Sequence, residues 1–227
     1  MKRILPIILL VCLFSKAFSQ FDERVFFQLG GTVGFDYTQM KGKIGEGLSF
    51  YDITNNQINY ATVIFTTRLN FLEFSNNSSM SLDVQPALSL GRAYNSVGGN
   101  GNASFRLPAF LELNFGAAST VSTRKDYGFG IGIGAQYMKY PLMGNVPVYN
   151  GTHAGEIYSI NSSWICPTLQ MGLKFFGKSY YCREINLRAT YGASNKLDNN
   201  SETSSNQVIK DFQTMGVMIS FLQYLNY

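Results

Sequence analysis

The chain has few of the residues from which catalytic and metal sites are usually built. Its 227 residues include one histidine and three cysteines, and only 14% of them are charged, against about 25% in soluble domains. No CxxC motif and no Cys/His set is present, so the sequence does not indicate a metal site. We expect no cofactor, and the scarcity of charge argues against an ordinary water-soluble domain.

Long apolar runs are also missing. The longest, Ile4 to Phe14, has 11 residues, whereas a membrane-spanning helix needs about 20. Lys2 and Arg3 precede this run and Ala17-Phe18-Ser19 follows it, which is the order of a cleaved signal peptide. The sequence therefore predicts a signal peptide over residues 1–19 and one mature domain over 20–227. Val11 stands before Cys12, where a lipobox needs a small residue, so we expect no lipid anchor.

The predicted mature chain has no excess of either charge. Cleavage removes three basic residues and leaves 15 basic side chains against 14 acidic ones. Without a basic stripe there is no sign of nucleic-acid binding. The cysteines that remain, Cys166 and Cys182, lie on neighbouring predicted strands about eight positions out of register, so we expect no disulfide between them.

The hydrophobic pattern of the mature chain repeats every two residues, which indicates β-strands. From Tyr127 onward, Phe129, Ile131 and Ile133 face one way while glycines 128, 130, 132 and 134 face the other. Eight such segments can be marked, an even number as in single-chain bacterial barrels. They cover residues 25–38, 60–73, 80–93, 104–117, 127–140, 161–176, 180–192 and 211–224. The sequence predicts an all-β, eight-stranded antiparallel up-and-down transmembrane barrel.

The connections between the segments alternate in length. Those after odd-numbered segments are long and polar, while Asn76 to Ser79, Ala118 to Asp126 and Gly177 to Ser179 suffice for the others. This alternation is typical of outer-membrane barrels, which have short periplasmic turns and longer extracellular loops. We therefore expect both termini on the periplasmic side. Pro86 and Pro167, on the predicted lipid-facing side, indicate a bulge or a docking site for a partner, because proline cannot donate to the strand ladder.

A soluble barrel of the lipocalin type would show the same alternation, with an apolar interior and a charged exterior. Here the polar face is mostly Gly, Ser, Thr, Asn and Gln, which suits a narrow closed interior. Aromatic residues gather near the strand ends, as bilayer interfaces favour. They are Phe27, Phe71, Phe115, Tyr127, Phe175, Tyr181 and Phe221 toward the turns, and Tyr37, Phe105, Tyr137 and Tyr191 toward the loops.

Eight charged residues of the strands fall on the predicted interior face, where four acids and four bases should cancel. They are Asp36, Arg68, Asp83, Arg106, Glu112, Lys174, Glu184 and Arg188. Arg68 lies almost opposite Asp83 across one short turn and Lys174 opposite Glu184 across another, so we expect these two ion pairs. Eight strands leave room for side chains only, which favours a filled interior over a polar conduit.

The one histidine, His153, lies in the third long loop near Glu156 and Ser159. Some outer-membrane barrels modify lipids with a histidine, a serine and an acid. However, the residues Asn150-Gly151-Thr152 are typical of a flexible turn. A general base needs partners that are held within hydrogen-bonding distance. We expect an exposed loop histidine and no enzyme. The glycine run from 128 to 134 has strand period and lacks a following Lys-Ser/Thr, so it is not a nucleotide site.

The end of the chain resembles the C-terminal β-signal of bacterial outer-membrane barrels: Thr214, Gly216, Ile219 and Phe221, then a final aromatic residue. With the other features, the chain resembles the small outer-membrane barrels of the OmpA and OmpX type, in the Gly/Asn-rich style of Bacteroidota. The resemblance implies the barrel-insertion machinery and outer-membrane lipid as partners, and no nucleic acid. The resemblance gives no unique activity. We expect a structural or interaction protein that acts through its extracellular loops or its lipid-facing wall; the alternatives are an accessory subunit of a larger outer-membrane complex and, less favoured, a lipid-modifying enzyme.

Overall fold

The computed structural model describes residues 24–46, 48–150, 157–177, 181–199 and 208–226. The predicted signal peptide lies outside these ranges. Eleven strands make up the regular structure of the described residues: β1 (Val25–Glu46), β2 (Ser49–Ser75), β3 (Ser78–Val84), β4 (Ala87–Asn95), β5 (Gly98–Gly116), β6 (Tyr127–Tyr140), β7 (Val146–Asn150), β8 (Ile157–Ile160), β9 (Ser162–Phe176), β10 (Cys182–Asp198) and β11 (Val208–Tyr224).

No helix among the described residues is long and apolar enough to cross a membrane.

The strands form one antiparallel sheet that closes on itself. β1 pairs with β11 on one side and with β2 on the other, and the order continues through β3 and β4, β5, β6, β9 and β10 back to β11. β3 and β4 follow each other between the same two neighbouring strands, β2 and β5. Together they form one stave, by which we mean one strand position of the ring. The ring therefore has eight staves, and the predicted fold class is confirmed.

Each predicted segment coincides with a stave, and 127–140 matches β6 at both ends. Pro86 separates β3 from β4, as its missing N–H leads one to expect. Its carbonyl still accepts a hydrogen bond of 3.0 Å from the Phe65 amide of β2. The stave is thus interrupted at the proline without losing its contact with the neighbouring strand.

The prediction of long polar loops after the odd-numbered segments was largely wrong. β1 and β2 continue as a ladder to the pair Glu46–Ser49, and β4 and β5 continue to the pair Asn95–Gly98. The third connection contains the β7–β8 hairpin, a separate two-stranded sheet. Near residues 49–57 both faces of the strand carry many polar residues, so the contrast between the faces, on which the prediction rested, disappears there.

We call the end of the ring where β1 begins and β11 ends the lower end, and the opposite end the upper end. Around the ring, large apolar side chains of the staves point outward and are exposed. A water-soluble monomer rarely exposes so large a continuous apolar surface. Examples from every stave are Leu29, Phe65, Leu82, Leu90, Leu111, Ile133, Leu173, Leu187 and Met215.

Candidate functional site

The interior of the ring contains the eight charged side chains that the alternation of inward and outward residues predicts there. All eight predicted interior charges are buried, with exposures of 1–3%. Two direct ion pairs join them: Arg106 Nη1 lies 2.7 Å from Asp36 Oδ1, and Lys174 Nζ lies 3.1 Å from Glu112 Oε1. Asp36 also accepts a hydrogen bond of 2.9 Å from Thr62. Buried charges need such partners, because desolvation penalises each of them separately.

The predicted pair Lys174–Glu184 was wrong. The two residues are register partners on β9 and β10, but the Lys174 ammonium reaches Glu112 on β5, across the intervening strand β6. Glycines on the inner face of β6 make this reach possible. A Cβ built on Gly130 would lie 2.4 Å from Glu112 Oε1 and 3.1 Å from Lys174 Nζ. The ion pair therefore occupies the space that a side chain at position 130 would need.

The predicted pair Arg68–Asp83 was also wrong, although these residues face each other in the β2–β3 register. Arg68 instead donates a hydrogen bond of 2.6 Å to the Tyr224 hydroxyl, which donates one of 2.8 Å to Glu184 Oε2. The guanidinium also lies 4.5 Å from the centre of the Phe26 ring. The long Arg68 side chain extends past Asp83, and the phenol of Tyr224 links Arg68 to Glu184.

The remaining acid, Asp83, and the remaining base, Arg188, are linked by the side-chain amide of Gln85. Arg188 donates to Gln85 Oε1, and Gln85 Nε2 donates a hydrogen bond of 2.5 Å to Asp83 Oδ2. Arg188 also donates to Gln170, at 3.0 Å. Neither linking residue, Gln85 or Tyr224, was predicted from the sequence. Their inward parity was the available signal, but it does not tell which neighbour a side chain contacts.

The lower end is closed by a segment between β5 and β6, which we call the lower plug (117–123). Ala117, Ala118, Ser119 and Thr120 are fully buried. The Ser119 carbonyl accepts hydrogen bonds of 2.6 Å from Asn70 Nδ2 and 2.5 Å from Ser79 Oγ, and the Ala118 carbonyl accepts one from Arg68. The connection predicted as a simple turn therefore folds inward and fills the mouth of the ring.

Buried side chains occupy the interior between the two ends. A cavity of about 10 Å³ lies beside Arg106, Gln136 and Arg188, which is room for about one water molecule. A small apolar cluster of buried residues is made of Ile64, Ala87, Met218 and Leu222. This geometry suits a plugged barrel rather than an aqueous channel.

The upper part of the interior is apolar, whereas the sequence pattern indicated a polar interior for the predicted segments. We call it the cap: residues 191–198, 208–213, 39–46 and 49–56 together with β7 and β8. Its buried core also takes side chains from β4, β6 and β9. The core comprises Met40, Ile44, Ile53, Ala93, Met138, Tyr140, Val146, Val148, Tyr158, Ile160, Trp164, Cys166, Leu197, Ile209 and Phe212.

The β7–β8 hairpin closes the cap from above. Tyr158 of β8 packs against Tyr51 of β2, with ring centres 5.3 Å apart. Asn95 Nδ2, at the end of β4, donates a hydrogen bond of 2.8 Å to the Pro147 carbonyl. The upper mouth is therefore covered by a hairpin that is packed and hydrogen-bonded to two strands of the ring.

A seam lies between β9 and β10. Their described register runs from Cys182–Phe176 to Thr190–Thr168 and stops at the position before Pro167. Farther up, the Ser162 hydroxyl donates a hydrogen bond of 2.9 Å to the Asp198 carbonyl. An apolar groove opens on the outer surface at the base of the seam; it is lined in part by Leu111, Ile133, Pro167, Leu169, Ala189 and Tyr191. Cys166 and Cys182 are both buried and free.

The residues of the predicted β-signal all lie on β11, the stave that closes the ring against β1. Thr214 and Gly216 face inward and are buried, while Ile219 and Phe221 face outward and are partly exposed. His153 and Glu156 lie outside the described residues. Ser159 is buried on β8, and its carbonyl accepts a hydrogen bond of 2.7 Å from Asn199.

Solved structures that are similar to this one include outer-membrane proteins. The outer membrane protein OprG from Pseudomonas aeruginosa has 10% identity and a TM-score of 0.47, covering 89% of this chain and 97% of its own. The attachment invasion locus protein Ail of Yersinia pestis has 13% identity and a TM-score of 0.38, covering 89% and 98%. The outer membrane protease OmpT from Escherichia coli has 7% identity and a TM-score of 0.39, covering 88% and 97%.

No protein-family model and no curated protein sequence matches the chain. At these identities and TM-scores, the structural likeness leaves its function open.

Proposed function

We propose that the protein is a non-enzymatic outer-membrane β-barrel that acts as a structural or interaction protein through its upper, extracellular end or its lipid-facing wall. The observation that carries the proposal is the continuous apolar outer surface of a closed ring. Val63, Leu90 and Ile133 of different staves are 62–64% exposed. Such side chains are stable in contact with lipid, and each stave of the ring pairs with two neighbours, as strands within the hydrocarbon require.

The filled interior supports a barrel that does not transport solutes. The lower plug, the four linked acid–base pairs and the apolar cap occupy the ring from end to end. In planar bilayers we therefore expect no steady conductance from the wild type. A stable open channel would contradict this part of the proposal.

Membrane placement is tested by fractionation and truncation. The mature protein, beginning at Gln20, should be recovered in the outer membrane, and deletion of residues 219–227 should abolish assembly because β11 would lose its lower pairing with β1 and β10. The matched control is Met215→Leu, an outward-facing change in the same strand that keeps the pairing. Recovery of folded wild-type protein from the soluble periplasmic fraction would refute the placement.

The enzymatic alternative makes a different expectation. If a lipid-modifying activity depended on His153, changing it to Ala would alter the lipid profile of the cell. We expect lipid A and phospholipid profiles, measured by mass spectrometry, to be unchanged in the His153→Ala strain. A change in that strain alone would favour the enzyme.

A role as accessory subunit of a larger outer-membrane complex is the second candidate. The groove at the base of the β9–β10 seam favours it, because it interrupts an otherwise regular lipid-facing wall. Affinity purification in mild detergent should recover a stoichiometric partner if this is the function, and the barrel alone if it is not. The further assignment to an OmpA- or OmpX-like barrel of Bacteroidota type, inserted by the barrel-insertion machinery, is part of the same proposal.

A further inference from the structure

Three buried side chains meet in the lower interior, two from β5 and one from β9. Lys174 Nζ lies 3.1 Å from Glu112 Oε1, and the same ammonium donates a hydrogen bond to Asn114 Oδ1. Each of the three side chains belongs to a residue that is at most 2% exposed. An amine, a carboxylate and a carboxamide are thus held together away from bulk water. We call these three residues the lower triad.

The amine of the lower triad lies close to the carbon of the amide. Asn114 is the register partner of Gly130 on β6, whose missing Cβ leaves room for Lys174 to cross that strand. Asn114 Cγ is bonded to Oδ1 at about 1.23 Å and a hydrogen-bonded Nζ is about 3 Å or less from Oδ1, so Nζ and Cγ are within about 4 Å. Atoms that are poised to react are about 3–3.5 Å apart. A small movement of the lysine therefore brings the two atoms to reacting distance.

Two further contacts orient the Asn114 amide. Arg68 Nη1 donates a hydrogen bond of 3.3 Å to Asn114 Oδ1, the atom on which negative charge develops when an amide carbon is attacked. A donor aimed at such an oxygen stabilises the transition state. Asn114 Nδ2 donates a hydrogen bond of 2.8 Å to Ser81 Oγ. The amide oxygen therefore points to two cations, and the amide nitrogen points away from Arg68 toward a hydroxyl group.

We propose that Lys174 and Asn114 form an intramolecular amide bond, with Glu112 as general base and general acid. The Glu112 carboxylate accepts a proton from the Lys174 ammonium, and the free amine attacks Asn114 Cγ. Glu112 passes this proton to Nδ2, the Cγ–Nδ2 bond breaks and ammonia leaves. Glu112 then takes a second proton from Nζ, so one base and one acid become neutral together and the charges of the interior stay balanced.

The bond joins β5 to β9 across β6, so three neighbouring staves are tied together covalently. The reaction needs no reactant other than these side chains and releases only ammonia. It goes beyond the proposed function and does not depend on the membrane placement, because it requires only the folded ring. The ion pair of Lys174 and Glu112 is the state before the reaction.

The test follows the reaction by mass spectrometry. Mature protein refolded from urea into lipid vesicles starts with the free ion pair and should become lighter by one ammonia. Cyclisation of an N-terminal Gln20 also releases ammonia, so the bond is located in tryptic peptides. We expect a branched peptide that joins residues 107–124 to residues 140–178, because trypsin no longer cuts after Lys174. The same chain kept in urea should not form it.

Variants separate the reaction from a contact alone. Lys174→Arg keeps the positive charge without the amine and should give no branched peptide. Glu112→Gln should slow bond formation by about 100-fold or more, because the proton acceptor is lost. The matched control is Asn186→Ala, which changes another fully buried asparagine of the inner face and should react as the wild type does. Heat-dependent gel mobility verifies that each variant is folded.

Folded wild-type protein that yields only the separate peptides would overturn the proposal and leave the lower triad as an ion pair with a hydrogen-bonded amide. A branched peptide that forms equally in urea would overturn it too, since the folded triad would not be required. An unchanged rate in Glu112→Gln would refute the assigned role of Glu112 and with it the mechanism.

Discussion

The ring between the aromatic belts and the cap above it are parts of the same staves with opposite interiors. In β1 the inward residues change from Asp36 and Thr38 to Met40 and Ile44, and in β11 they change from Phe212 to Thr214 going down. The inside–outside parity persists, but the chemistry of the inner face switches from charged and polar to apolar. The switch occurs at the level where the apolar outer surface ends.

The difference follows from what surrounds each region in the proposed placement. Within a bilayer, lipid is as apolar as leucine, so burying apolar side chains inside the ring gives little driving force. Hydrogen bonds and ion pairs in the interior then hold the staves in one arrangement. In water, burial of apolar surface is again favourable, and the cap uses a core of the kind found in soluble proteins.

The largest effect is expected from breaking a direct ion pair of the lower interior. Lys174→Met leaves Glu112 buried without its ammonium partner, and this should lower the free energy of unfolding by about 3–5 kcal/mol. The double variant Lys174→Met/Glu112→Leu removes both charges and should cost much less. Urea unfolding in lipid vesicles measures both values. Equal small costs for the single and double variants would indicate a water-filled interior in which the charges are solvated.

A cap substitution should cost somewhat less and should act locally. Ile44 is fully buried in the cap core, and Ile44→Ala should lower the free energy of unfolding by about 2–4 kcal/mol. Trp164, the single tryptophan of the chain, lies in the same core, so its fluorescence reports on the cap. The control is Ile165→Ala, which faces outward at 71% exposure and should cost less. Equal costs at the two positions would refute a packed core.

Parity was enough to predict the ring and the inward direction of its charges. The eight staves follow from period-two segments of membrane-spanning length, and Asp36 and Arg188 could be assigned to the inner face without a structure. The cap could not be predicted in this way. In residues 49–57 the alternation of Ile53 with polar neighbours is too weak to distinguish a strand from a polar loop.

Pairing inside the ring was predicted from register and was wrong for a physical reason. Register identifies the residue whose Cα lies opposite, whereas the long side chains of Arg68 and Lys174 can reach several neighbours. Which neighbour such a side chain contacts depends on where the interior has empty space, and the alternating glycines of β6 were the informative signal for that space. Their inward direction was recognised, but their consequence, a gap through which Lys174 reaches Glu112, depends on how β5, β6 and β9 curve around the ring.

The last prediction tests that gap directly. Gly130→Ala places a methyl group 2.4 Å from Glu112 Oε1, so the ion pair must shift, and we expect the free energy of unfolding to fall by about 1–3 kcal/mol. Gly101→Ala is the control, because a Cβ there meets nothing within 4 Å; it should be neutral or slightly stabilising. In the Lys174→Met/Glu112→Leu background, Gly130→Ala should cost clearly less than in the wild type, since the carboxylate and ammonium that it displaces are gone. If the cost is the same in both backgrounds, the glycine serves the backbone of β6 and not the ion pair.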